Sequence, residues 1–140
     1  MQTSVGAFHQ AVEKAHLWLK ELKEIGQFQN EEQAYSVLRA VLHALRDRLI
    51  CDEAIHLGSE MPMLIRGLYF EGFDLSPPDN DRTLDSFYET IRQHLRNASF
   101  NVDVESATKA VFNLLNERIS AGEMTHVKNM LPEEIREVCF

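Results

Sequence analysis

Two Glu-x-x-His pairs are the residues best placed to do chemistry: Glu53-Ala54-Ile55-His56 and Glu123-Met124-Thr125-His126, which stand 70 positions apart. On a helix, residues three apart share a face, so each pair can offer a carboxylate and an imidazole to one cation. Ferritin-like bundles hold their metals with two such pairs and one further Glu from each of two other helices. Glu21 and Glu89 are the available further donors. The same residues have a plainer reading as helix caps. Ser120-Ala121-Gly122-Glu123 is a capping-box pattern, in which the serine oxygen accepts from the helix and Glu123 reaches back to the serine N–H. Asp52 and Glu53 make the other segment's start acidic, as the helix dipole prefers. Pro62 and Pro132 limit both segments to about ten residues, or three turns, shorter than the helices of metal bundles. Capping is therefore the expected role and no cofactor is assigned; Glu53, His56, Glu123 and His126 form the alternative metal set.

A second group lies just downstream. Arg66 and Arg136 each follow a proline by four positions, and a guanidinium fork there suits a carboxylate or phosphate. The plainer expectation is a stem laid on the core and a head paired with a neighbouring Glu. Tyr69, Phe70 and Phe73 cluster beside Gly67 and Gly72. Phe70 recurs as Phe140 and is expected in the core, whereas Tyr69 stands opposite Cys139 and Phe73 has no counterpart. Arg66, Tyr69 and Phe73 are thus the candidate partner-binding residues, and sealing the junction between the halves is the rival role for the two aromatics. No Gly-rich phosphate loop or nucleophile elbow occurs. His9, His16, His43 and His94 are scattered over amphipathic segments, where a lone histidine is expected at the surface or its boundary.

The elements that must position these groups follow from apolar periodicity. Val5, Phe8, Val12, Ala15, Leu19, Leu22 and Ile25 predict a first helix that stops near Gly26. Ala34, Val37, Leu38, Val41, Leu42, Leu45 and Leu49 predict a second, with Arg46 and Arg48 in the last turns where cations suit the dipole. A short segment from Asp52 to Glu60 follows, and Pro62 opens another from Met63 to Phe70. Residues 71–81 read as an acidic Pro-Gly loop. Leu84 to Leu95 then reads as a helix, residues 97–104 as a connection, and Ala107 to Ile119 as a further helix. No strand-type alternation is sustained.

Set at a constant offset of 70, Arg39–Phe70 and Lys109–Phe140 are identical at ten of 32 positions, among them both members of each Glu-x-x-His pair, Pro62/Pro132 and Arg66/Arg136. The predicted architecture is all-α, with about eight helices as two pseudo-symmetric four-helix repeats in one bundle-like domain. Repeat one spans 1–73, an acidic Pro-rich linker 74–82, and repeat two 83–140. A unit of about 70 residues buries little apolar surface alone, so the halves are expected to pack on each other.

Composition narrows the partners. The 140 residues carry 14 Lys+Arg against 22 Asp+Glu, a net charge of −8, which opposes approach to a phosphate backbone or an anionic membrane. No apolar stretch approaches the roughly 20 residues of a membrane span, and the amino terminus lacks the basic-then-apolar pattern of a signal peptide. The expected setting is cytoplasmic, with Cys51 and Cys139 as buried reduced thiols.

The run Leu38-Arg39-Ala40-Val41-Leu42-His43-Ala44-Leu45-Arg46-Asp47-Arg48-Leu49, the Asp52-Glu53-Ala54 and His56-Leu57 after it, and Met61 through Phe73 resemble the bacterial domain of unknown function 2267. Gly122-Glu123, His126 and Leu131-Pro132-Glu133-Glu134-Ile135-Arg136 are similar to that family's other half. The resemblance implies an all-helical tandem repeat in a bacterial cytoplasm. It transfers no catalytic residue, because the family has no agreed activity. The function expected from the sequence is a non-enzymatic protein-interaction or scaffolding module whose partner is another protein or a second copy. A metal or redox protein using the two pairs is the alternative, and small-ligand binding between the repeats is a third possibility.

Overall fold

A computed structural model describes residues 5–75 and 81–140. Among them the regular elements are all helices: α1 (Gly6–Gly26), α2 (Glu31–Arg46), α3 (Cys51–Ser59), α4 (Met63–Phe70), α5 (Leu84–His94), α6 (Val104–Arg118), α7 (Ala121–Met130) and α8 (Glu133–Cys139). The all-α expectation holds. Of the expected linker, residues 76–80 lie outside the described residues. The 70-residue offset holds for the starts of α3 and α7, at Cys51 and Ala121, and of α4 and α8, at Met63 and Glu133, but not for α1 and α5 or α2 and α6.

The core runs along α2 and α6. Val37, Leu38, Val41, Leu42 and Leu45 of α2 and Val111, Phe112, Leu114 and Leu115 of α6 are fully buried, the inward stripe that their three-and-four spacing dictates. Helix α1 packs on α2, α4 and α6, and α5 packs on α2, α6 and α8. Helices α3 and α7 meet each other, and that contact sets the site described below.

Several ends are closed by contacts that local sequence does not specify. Gln27, at φ 55°, takes the left-handed position that closes α1, with the Phe28 N–H donating to the Lys23 carbonyl. Gly26 precedes it because the Phe28 ring folds back over that Cα, leaving a Cβ only 2.3 Å from the ring. Helix α6 starts three residues earlier than its periodicity indicates, where the Ser106 hydroxyl donates to Asp103 Oδ2 at 2.8 Å and fixes the entering turn.

Arg46 and Arg48 do not serve as solvated dipole partners. Arg46 is buried and donates through Nη1 to the carbonyls of Tyr69 and Glu71, both at 2.7 Å, closing the end of α4. Arg48 is also buried and donates to Ser86 Oγ and Thr90 Oγ1 at 3.2 and 3.3 Å, tying α2 to α5 with its guanidinium 5.0 Å from the Phe87 ring. His43 is buried as well, against expectation. Its Nε2 lies 2.8 Å from the Leu68 carbonyl, which can only accept, so Nε2 carries the proton. Burial lowers its pKa to about 4, so the imidazole is neutral. Cys139 is buried with its thiol pushed up to about 12 by desolvation, while Cys51 is only half-buried.

Candidate metal centre

Glu53 and Glu123 sit at the third position of their helices, where the dipole favours a carboxylate. Each also lies on the buried stripe: α3 buries Glu53, Ala54, Leu57 and Gly58, and α7 buries Glu123, Met124 and Val127. Because α3 and α7 meet along these stripes, the two carboxylates are brought together from opposite helices. His56 and His126, three residues further on, rise from the same faces to the rim.

The result is a four-donor cluster: one ligand atom each from Glu53, His56, Glu123 and His126, all within 4.8 Å of one another. His56 Nδ1 is 3.0 Å from Glu123 Oε1, across the helix pair, and His126 Nδ1 is 3.7 Å from the same oxygen. The carboxylates form the floor and the imidazoles the rim. The Glu123 side chain is 0% exposed, against 55% and 64% for those of His56 and His126.

Electrostatically the floor is unresolved. Glu53 Oε1 and both Glu123 oxygens are buried and receive no hydrogen bond from the described residues, and a buried carboxylate in that condition is costly. Burial first, then the neighbouring Glu53 carboxyl, pushes the Glu123 pKa up to about 7. Two chemical arrangements relieve such a pair: a proton shared between the carboxylates, or a cation held by them.

The capping expectation is half right. Ser120 Oγ accepts from the Glu123 N–H at 3.3 Å, as a capping box requires. Glu123 does not reach back. Glu60, from the end of α3, takes that part instead: the Ser120 N–H donates to its Oε1 and the Ser120 hydroxyl to its Oε2, each at 3.0 Å. With its cap filled from 60 residues away, Glu123 is free to turn inward. Nothing in the local sequence marks Glu60 for this task.

Glu21 and Glu89 do not join the cluster. Glu21 pairs with Arg118, and Glu89 lies 3.5 Å from Arg92 on its own helix. The four carboxylates and two imidazoles of a di-iron bundle are therefore not assembled, and four donors are left together.

The residues expected to bind a partner are placed differently from one another. Tyr69 is fully buried, its hydroxyl donating to the Ala54 carbonyl at 2.7 Å, so it is no part of an exposed aromatic surface. Its ring stacks edge-on against Phe70 at 4.9 Å, and Phe73 packs partly buried on the same core. Both aromatics pack at the end of α4, against Ala54 and Phe70. Arg66 is exposed along its length but spends its donors on the carbonyls of Gly58, Ser59 and Met61 at 3.0–3.2 Å, closing the end of α3 rather than pairing with a Glu.

No helix among the described residues is long and apolar enough to cross a membrane. No curated protein matches the chain. The profile of a family described as an uncharacterized conserved protein, DUF2267, matches residues 15–138. That span takes in all four donors of the α3–α7 cluster and the helices that hold them, and the chain belongs to the DUF2267 family.

Proposed function

We propose that this protein binds a metal ion, with Glu53, His56, Glu123 and His126 holding one divalent first-row cation between α3 and α7. The observation that carries the reading is the buried floor: three carboxylate oxygens that accept no hydrogen bond, one of them 3.0 and 3.7 Å from the two imidazoles. Bonds of about 2.1 Å place donors on one ion at most about 4.2 Å apart. A 4.8 Å cluster therefore closes by about 0.3 Å at each of its furthest donors if they lie trans, and by about 0.7 Å if they take the tetrahedral separation of about 3.4 Å. Two carboxylates and two neutral imidazoles cancel the charge of a divalent cation, and this donor mix suits zinc, iron, manganese or cobalt better than thiolate-seeking copper(I). The 70-residue offset supports a second part of the proposal. Each repeat supplies a two-donor half-site, too weak alone, and the packing of α3 on α7 completes it.

The test is metal content on protein purified from its own host under reducing conditions without chelator, followed by calorimetric titration of the chelator-stripped protein. One equivalent per chain is expected, lost in Glu123→Gln and in His126→Ala. Less than a tenth of an equivalent, with no thermal shift on adding zinc, manganese, iron(II) or cobalt(II), would leave the cluster as a proton-sharing carboxyl pair.

The protein-interaction reading moves rather than disappears. Phe8, Leu17, Met63 and Leu64 are about half exposed, and Leu17 and Met63 line a groove of 710 Å³ with Trp18, Lys14 and Arg66 on its walls. Lys14, Arg66 and Arg118 outnumber Glu60 on the lining, and an apolar groove with that excess of cations suits an acidic protein partner. Met63→Glu should weaken capture of such a partner without lowering the melting temperature.

A further inference from the structure

Resting on the metal-binding reading, we infer that the site is exchangeable: the ion enters and leaves past the two imidazoles without unfolding of the chain. The argument is the contrast between floor and rim. The carboxylates are fixed, since Glu123 is wholly buried and Glu53 nearly so, each anchored on the stripe that packs the helices together. The histidines are not fixed. More than half of each side chain is exposed, and among the described residues neither imidazole has a polar contact other than with Glu123. An exposed side chain of this kind changes rotamer in picoseconds to nanoseconds. Rotation of His56 and His126 about χ1 removes two of four ligands and uncovers the other two, with no change in the backbone. Structural metal sites are built the other way, with buried ligands oriented by second-shell partners.

The fold does not depend on the ion. The continuous apolar core built on α2 and α6 includes none of the four donors, and α7 is capped by Ser120 and Glu60 without the ion. Apo and loaded forms are thus both folded. A site of this sort suits a protein that senses, buffers or hands on a metal ion, or uses one that is replaced during its working life.

The experiment loads the full chain with cobalt(II), follows its visible absorption, and mixes it with excess EDTA in a stopped-flow instrument. The unfolding rate is measured separately by a jump into urea. Release at least about a hundredfold faster than unfolding is expected. It should also be unchanged in Ile91→Val, a core substitution on α5, whose main contacts are with α2, α6 and α8. Sub-denaturing urea on the unaltered chain provides the same comparison without a variant: release should stay level while the unfolding rate rises. Release that matches the unfolding rate and climbs with it in urea would overturn the inference while leaving metal binding intact. Failure of cobalt(II), and likewise of zinc, manganese and iron(II), to bind at all would overturn both readings.

Discussion

Glu123→Gln should make the metal-free protein more stable at pH 8 while abolishing its stabilisation by metal. Unfolded, the Glu123 carboxyl titrates at its ordinary 4.5; folded, burial and Glu53 raise it to about 7. The folded state therefore binds the extra proton, and stability falls as pH rises from 4.5 through 7, the penalty being absent below this window and complete above it. At about 1.4 kcal/mol per pH unit the displacement caps the penalty at about 3 kcal/mol, and screening beneath the exposed imidazoles brings the expected value to about 1–2 kcal/mol. Glutamine keeps the shape and removes the charge. Urea unfolding followed by circular dichroism in EDTA should place Glu123→Gln about 1–2 kcal/mol above the unaltered chain at pH 8, and level with it near pH 4. Other acid-sensitive groups are common to both proteins and cancel in the difference. With metal at a hundred times its Kd, the unaltered chain should gain about 2.7 kcal/mol and the variant far less. A variant less stable than the chelated parent at pH 8 would refute the reasoning, because it would mean that the Glu123 carboxylate already has its partners within the fold.

Three further substitutions or conditions follow from the packing. His43 is held neutral with its pKa near 4, below its ordinary 6.5, so its contribution is present above pH 6.5 and lost as pH falls through 4. Urea titrations from pH 7 to 4 should show a loss of up to about 3 kcal/mol that His43→Leu flattens. Tyr69→Phe deletes the buried bond to the Ala54 carbonyl and should cost about 1 kcal/mol while leaving metal affinity unchanged, read by unfolding and calorimetry on the same samples. Gly58→Ala sets a Cβ 2.4 Å from Phe70 Cζ and 2.9 Å from Tyr69 Cδ2. The displaced rings should lower stability by about 1–3 kcal/mol, measured by thermal unfolding.

Much of the fold was legible because it rests on one local signal. The stripes on α1, α2 and α5 recur every three or four residues, and prolines at 62 and 132 mark the starts of α4 and α8. The candidate site was legible as donors but not as a site. Whether Glu123 caps its helix or turns inward depends on Glu60, 63 positions earlier in the chain, and on α3 lying against α7; neither leaves a local trace. Tyr69 misled for a related reason. Its lack of a repeated aromatic suggested a special surface, yet Tyr69 and Cys139 are both buried. Buried cations and imidazoles, here Arg46, Arg48 and His43, were illegible for want of any local cue to the carbonyls and hydroxyls that receive them.

The cluster also bears on why the carboxylates are there at all. A glutamate at the third position of a helix stabilises it chiefly by reaching back to the N-cap or by facing the dipole from solvent. Glu123 does neither: its cap is occupied by Glu60, and its side chain is fully shielded from water. Its helical neighbours on the same stripe, Met124 and Val127, show what the position would hold if packing alone chose the residue. Glu53 stands in the same relation to Ala54 and Leu57. One misplaced carboxylate is an accident that packing can absorb; two, facing each other from equivalent positions and each followed three residues later by a histidine, raise the cost of folding twice at one point. Sequences that fold well break local rules mainly where a function requires it. A bound cation would turn both violations into favourable contacts and draw on all four side chains, whereas a shared proton relieves the carboxyl pair alone.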